Sequence, residues 1–371
     1  MVVMPAKAGI QVTDRVRHTV EKRYPGDDKA WIPACAGMTE GRKDASMQVR
    51  ILLLGYALTL LVLLDSPALA QDKLTRIRVA YPSGGICCLA LYGAIQWKIF
   101  EENGLHAEIV QIRSQVGNMA MMANEIQYFT GVGPASVSAT LRGMQSRGVW
   151  FASDQLIYSL MARPEFPNLR DLRGKKIGVT GLGGTSHVAL HIALEAAGEN
   201  PKNFVYVVLG AAQMLPALET GTVEAAMFSP PFDFYAKKKK FREALDVGSK
   251  VRMPLGGLTT MVSTIRNRPD EVKRVVRSLQ LAKQEVLRSR EKATALILKY
   301  LQVDKEAAED TYAALQKTVS GNGVPTQEGM ALIMKSLQAA GQFTDRKVAF
   351  EEIADDRIAK EVARELGYKV Q

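Results

Sequence analysis

The chain has 371 residues, of which 47% are hydrophobic and 23% charged, and its formal net charge is +10. The part after residue 70 is long enough for two lobes of about 100 to 200 residues, each with its own core. A net positive charge is typical of proteins that bind nucleic acid, an acidic membrane surface or an anionic solute. The basic residues are dispersed, apart from Lys237 to Lys240, and the sequence has no zinc-finger or RNA-binding motif. We therefore expect no nucleic-acid partner.

The N-terminal part of the chain has the sequence pattern expected of an export signal. Arg50 precedes an apolar run from Ile51 to Leu64, and Ala68-Leu69-Ala70 follows as an A-x-A cleavage site. The alternative is a transmembrane anchor, but the apolar run is about 14 residues long and a span needs about 20. We predict a signal peptide over 47–70, and hence a location in the periplasm of a Gram-negative bacterium.

A polar leader precedes this signal. We expect residues 1–46 to be a disordered upstream extension that comes from a misplaced start, with Met47 as the initiator. No lipobox cysteine follows the apolar run, so we expect a soluble product rather than a lipid-anchored one.

The three cysteines exclude two kinds of site. Cys35 lies in the leader, and the adjacent pair Cys87-Cys88 is too small a set for a disulfide framework or a zinc site. Two interpretations of the pair remain open. The residues form a vicinal disulfide under a ligand loop, or they are two half-buried thiols where a loop turns into a helix. We favour the second interpretation.

Strands and helices alternate in the first half of the mature chain. Alternating or apolar runs predict strands at 77–81, 107–112 and 128–133, and helices are expected at 89–102, 116–124 and 137–142. Such alternation predicts a parallel or mixed α/β sheet, in which ligands bind beyond the carboxyl ends of the strands. Small polar loops fall at these ends, at Ser83-Gly84-Gly85, Ser114-Gln115 and Gly133-Pro134-Ala135-Ser136.

The most informative stretch runs from Phe166 to Leu190. A polar turn ends in Gly174, a short apolar run predicts a buried strand, and a glycine-rich loop brings Thr185 and Ser186 to a helix N-terminus. Free backbone N–H groups at such a helix start favour an anionic or strongly polar ligand.

The run from Asp171 to Val179, followed by Gly184-Thr185-Ser186, resembles the second lobe of type 2 periplasmic substrate-binding proteins of ABC importers. The nearest branch is the nitrate/sulfonate/taurine group (SsuA-like), which includes NMT1/THI5-like binders of pyrimidine precursors. The resemblance implies a two-lobed α/β fold of the periplasmic-binding-protein type 2 class, with mixed sheets, flanking helices and two hinge crossings. We expect lobe 1 to comprise 72–162 and 254–371, the latter including the C-terminal helices, and lobe 2 to comprise 163–253.

The resemblance also implies that a small solute binds between the lobes and is delivered to an ABC permease and its ATPase by a monomeric protein. The solute would be a sulfonate, nitrate, an aromatic carboxylate or a pyrimidine. The expected ligand-binding residues come from loops of both lobes: Tyr81, Ser83, Gly84, Gly85, Gln115, Pro134 and Ser136 in lobe 1, and Gly184, Thr185, Ser186, Ser229 and Phe232 in lobe 2.

Catalytic signatures are weak. His187 and His191 stand four residues apart, a spacing that can hold a metal, but no glutamate lies between them and we favour a packing role. Neither a G-x-S-x-G elbow nor a phosphate-binding loop is present. We expect a protein without enzymatic activity, metal or cofactor. Two alternatives stay open, a pyrimidine-precursor synthase-like enzyme on the same fold and a solute-sensing module for a membrane receptor.

Overall fold

The computed structural model describes residues 74–153, 155–318 and 321–370. The upstream extension and the signal peptide, expected over 1–46 and 47–70, lie outside these ranges. Within the described ranges, no helix has both the length and the apolar character needed to cross a membrane.

The described residues alternate between strands and helices, as the sequence predicts. Their strands are β1 (Thr75–Tyr81), β2 (Leu105–Gln111), β3 (Tyr128–Phe129), β4 (Ser146–Phe151), β5 (Ser159–Ala162), β6 (Lys176–Val179), β7 (Val205–Val208), β8 (Ala225–Phe228), β9 (Arg242–Asp246) and β10 (Gly257–Met261). Their helices are α1 (Leu89–Gln96), α2 (Ile99–Glu102), α3 (Ser114–Met122), α4 (Pro134–Leu141), α5 (Thr185–Ala196), α6 (Ala211–Glu219), α7 (Phe232–Lys238), α8 (Val262–Asn267), α9 (Pro269–Arg288), α10 (Arg290–Leu301), α11 (Lys305–Thr318), α12 (Gln327–Ala339) and α13 (Arg357–Glu365).

The strands form two five-stranded mixed sheets of equivalent topology. The first sheet has the order β2-β1-β3-β10-β4, and the second has the order β7-β6-β8-β5-β9. In each sheet the first three strands are parallel and the fourth is antiparallel to both of its neighbours. The fold is therefore a two-lobed α/β structure, with the parallel strands of each lobe ending on one side.

Burial explains why these segments are strands. In β1, Ile77 and Val79 are buried whereas Arg76 and Arg78 are exposed, so the sequence alternation follows the pleat. All four residues of β8 are buried, which is expected of a central strand covered by helices on both faces.

The antiparallel strand of each sheet lies next to a crossing between the lobes. β5 follows β4 of the first sheet but pairs with β8 and β9 of the second. The first crossing therefore lies between Phe151 and Ser159, ahead of the position expected after Ala162. A short buried apolar run can pair in either sheet, so its local pattern does not indicate which lobe it joins. The second crossing lies between β9 and β10.

Two helical predictions differ in detail from the structure. The helix expected over 89–102 is divided into α1 and α2 because Lys98 takes a left-handed conformation, with φ 56°. The C-terminal helices were expected to pack on lobe 1, but α11 also contacts α7 of lobe 2. At this contact Tyr235 Oη donates to Asp304 Oδ2 at 3.2 Å, and Lys238 Nζ lies 2.7 Å from Glu306 Oε2.

Candidate functional site

A cleft lies between the two lobes and is open to solvent. Lobe 1 contributes the loop that follows β1, from Ser83 to Cys87. Lobe 2 contributes Thr180 directly after β6, Ser229 directly after β8, and Phe232 at the start of α7. The carboxyl ends of parallel strands thus open into the cleft from both sides, the position at which α/β folds bind ligands.

Five of the predicted ligand residues line this cleft, namely Ser83, Gly84, Gly85, Ser229 and Phe232. A Cβ atom built on Gly85 would meet no heavy atom within 4 Å, so the backbone of this residue borders open space. The hydroxyls of Ser83 and Ser229 come from opposite lobes. A ligand held by both would join the lobes.

Two of the other predicted loops, which begin the helices α4 and α5, meet each other. α4, which begins at Pro134, packs against α5, whose N-cap is Gly184. The Thr185 hydroxyl lies so close to Gly133 that a Cβ atom on Gly133 would overlap it. These two helix starts therefore form a contact between the lobes.

Two predicted serines use their hydroxyls inside the protein. The buried Ser186 Oγ accepts from the Thr180 amide at 3.1 Å and is 2.7 Å from Thr180 Oγ1. The buried Ser136 Oγ donates to the Gly131 carbonyl at 2.9 Å. Both groups hold the loops in shape.

The remaining two predictions lie on lobe 1. Tyr81 is half-buried, and its ring packs edge-on against that of Tyr92 with centroids 5.7 Å apart. Gln115 is exposed in the first turn of α3.

The structure adds cleft residues that were not predicted as ligand contacts. Tyr158 and Leu255 come from the two crossings, while Met214 and Met227 come from α6 and β8. Thr180 could have been found, because it directly follows a predicted buried strand. The crossing residues carry no such signal, since their position depends on how the two sheets exchange strands.

The cleft lining is electrically neutral. Among the described residues that line it there is no lysine, arginine, histidine or carboxylate. Its polar groups are the hydroxyls of Ser83, Thr180, Ser229 and Tyr158, the thiol of Cys87, and the backbone of the glycine loop. Burial raises the pKa of Tyr158, so this phenol stays protonated. The lining suits a ligand that accepts and donates hydrogen bonds without carrying a full charge.

The histidine pair of α5 packs as an aromatic cluster. The ring centroids of His187 and His191 are 4.2 Å apart, and both rings contact Tyr206. His187 Nδ1 accepts from the Gly183 amide at 3.2 Å. Desolvation by burial lowers the pKa of both imidazoles, to about 4 for His191. The described residues contain no group of three metal-ligating side chains that could hold an ion.

Comparison with solved structures places this fold among periplasmic binding proteins. The chain is similar to the periplasmic nitrate-binding protein NrtA from Synechocystis PCC 6803, with TM-score 0.68 and 14% identity over 80% of this chain and 90% of that chain. It is also similar to the periplasmic aliphatic sulphonate-binding protein SsuA from Escherichia coli, with TM-score 0.62 and 17% identity over 76% and 92% of the two chains.

A third similar structure is the ligand-binding component of an ABC-type import system from Staphylococcus aureus, with TM-score 0.67 and 13% identity over 78% of this chain and 99% of that chain. At these identities the likeness shows the fold. Comparison with curated proteins finds no significant match. The family model described as NMT1/THI5 like matches residues 88–293, which is more than half of the chain. The chain therefore belongs to the NMT1/THI5-like family.

Proposed function

We propose that this protein is the solute-binding component of an ABC import system, and that it captures a small polar organic solute between its lobes. The observation that carries the proposal is the neutral, hydroxyl-lined cleft to which the strand ends of both sheets contribute. Binding by both lobes favours the closed form, since the ligand interacts fully only when the lobes meet. Export to the periplasm, a monomeric state and delivery to a permease with its ATPase complete the proposal.

The residues that line the cleft also favour some of the candidate solutes over others. Phe232 and Tyr158 provide aromatic surfaces against which a ring can pack. Sulfonate and nitrate ions carry a full charge, and the described lining provides hydroxyls and backbone groups for it but no cationic side chain. A pyrimidine, which is neutral at pH 7, therefore fits the cleft better than an anion does, whether the anion is a sulfonate, nitrate or a carboxylate. Family membership and the nitrate- and sulfonate-binding neighbours support the general role.

A thermal-shift series on the full chain tests this proposal. Uracil, thymine, benzoate, ethanesulfonate and nitrate would be compared at equal concentrations, and the neutral compounds uracil and thymine should raise the melting temperature most. A ligand at 100 times its Kd stabilises a protein by about 2.7 kcal/mol. The absence of stabilisation by every compound in the series would contradict the proposal.

Two substitutions on α7 test whether the ring of a bound ligand packs against Phe232. Phe232→Leu should weaken binding of a stabilising ring compound by about 2- to 10-fold, because an aromatic pair contributes about 0.5–1.5 kcal/mol beyond its buried area. Phe234→Leu is the matched control, since Phe234 lies two residues further along α7 and packs against Tyr235 instead. Equal effects of the two substitutions on Kd would refute the assignment of Phe232.

A further inference from the structure

The cleft contains a pair of thiols with unequal access. Cys87 is half-buried and lines the cleft, whereas Cys88 is fully buried. Their Sγ atoms are 3.6 Å apart, and either thiol can donate a hydrogen bond to the other. A molecule in the cleft can therefore reach Cys87 but not Cys88.

The surroundings of the two thiols shift their pKa values in opposite directions. The hydrogen bond from Cys88 lowers the pKa of the Cys87 thiol, whereas its bond with Cys87, together with burial, raises the pKa of Cys88. A thiolate is the attacking species in thiol–disulfide exchange, and partial exposure favours its reaction. Cys87 thus has the properties of an attacking thiol, with Cys88 in place to resolve the product.

The pair is also coupled to the wall of the cleft. Cys88 Sγ lies 3.3 Å from the carbonyl oxygen of Ser83, which accepts the Cys88 proton whenever that proton is not donated to Cys87, and Ser83 lines the cleft. The Cα atoms of consecutive residues are about 3.8 Å apart, closer than in most disulfide-bonded pairs. Bond formation would therefore change the loop conformation and remove the Cys88 proton that is available to the Ser83 carbonyl.

We propose that Cys87 and Cys88 form a redox-active dithiol site, which reacts with a small disulfide that enters the solute cleft and thereby reshapes the loop from Ser83 to Gly85. The Cys87 thiolate attacks one sulfur of the small disulfide, forming a mixed disulfide and releasing one thiolate. Cys88 then loses its proton and displaces the second thiolate. The product is one intramolecular disulfide, and the small disulfide has taken up two electrons and two protons to become two thiols.

Oxidised glutathione is the probe for the chemical step. The full chain would carry Cys35→Ser to leave one thiol pair, and intact mass would be followed with and without prior reduction. This protein should lose two hydrogens and keep no glutathione. With Cys88→Ser it should retain one glutathione, and with Cys87→Ser it should react at least about 10-fold more slowly, because the remaining thiol is buried.

Two results would overturn the proposed chemistry: a Cys87→Ser protein that reacts as fast as Cys88→Ser, or a wild-type pair that accumulates glutathione adducts without resolving them. Melting curves of each variant identify any that fail to fold. In that event, alkylation rates of the two thiols in the otherwise unchanged chain decide the order of reactivity.

A separate measurement tests whether oxidation of the thiol pair changes the loop at the cleft. Hydrogen exchange at the amides of residues 83–85 should change on oxidation, and unchanged exchange would refute the coupling. The consequence for solute rests on the proposed function, and uracil and benzoate affinities of the reduced and oxidised protein measure it. If neither compound binds in either state, the solute proposal fails while the mass measurements still report on the thiols.

Discussion

The crossing between β9 and β10 contains a glycine whose replacement tests how the lobes are joined. Gly256 has φ +75°, and a Cβ atom on it would lie 2.9 Å from Cys87 Cβ and 3.1 Å from the Cys87 carbonyl oxygen. Gly256→Ala therefore combines an unfavourable backbone conformation with crowding against the cleft loop. Gly341, just after α12, has the same φ of +75°, but a Cβ atom on it would meet no heavy atom within 4 Å.

Comparing the two glycines separates the cost of the left-handed backbone conformation from the cost of overpacking against Cys87. A left-handed conformation costs an alanine about 1–2 kcal/mol, and the smaller entropy of the unfolded chain offsets about 0.4–1 kcal/mol of that cost. Gly341→Ala should therefore lower the free energy of unfolding by about 0–1.5 kcal/mol. Overpacking adds about 1–3 kcal/mol where atoms cannot move aside. Because the Cys87 contacts include main-chain atoms, we expect Gly256→Ala to be less stable than Gly341→Ala by about that amount.

Equilibrium unfolding in urea, followed by tryptophan fluorescence and circular dichroism under reducing conditions, measures both variants. A shift of the midpoint at constant slope reports stability, whereas a changed slope reports a change in the surface exposed on unfolding. Equal destabilisation of the two variants would refute the reasoning, because it would mean that Cys87 does not restrict the crossing.

Three further substitutions test the core and the loops. Tyr128→Phe removes the 2.8 Å hydrogen bond to the buried carboxylate of Glu271 and should lower the free energy of unfolding in urea by about 1.5–3 kcal/mol; no measurable loss would contradict this. Ser186→Ala leaves the Thr180 amide without its acceptor and should cost about 1–3 kcal/mol in the same assay, whereas a loss of ligand affinity alone would show that the hydroxyl binds solute. The folded-state pKa of His191 is about 4, below the ordinary 6.5, so the unfolded chain binds more protons between these values. Stability should therefore fall as the pH is lowered through this window, and His191→Leu should show a shallower fall in urea midpoint between pH 7 and pH 4.5.

Part of the candidate site could be predicted from the sequence alone. Ser83, Gly84, Gly85 and Ser229 follow apolar runs that form parallel strands, and such strands end on one side of a sheet. Phe232 follows in the same loop region of lobe 2. Local chemistry therefore predicted one surface of each lobe.

Other parts of the site depend on contacts between distant segments. The hydroxyls of Ser136 and Ser186 look available in the sequence, but each is buried against a neighbouring loop. Tyr158 and Leu255 enter the cleft because the chain crosses between the lobes twice. A hydroxyl's partner is decided by the backbone that packs beside it, and no periodic pattern contains that information.

The sequence by itself determined the alternation of strands and helices and the polar loops at the strand ends, because the period of apolar residues reflects which face is buried. Only the tertiary structure decided that β5 belongs to the second sheet, that α11 contacts lobe 2, and that the cleft lining has no charged side chain among the described residues. These features arise from pairing between segments far apart in the chain. Several pairings can bury the same apolar surface, and the packing of the whole chain selects one of them.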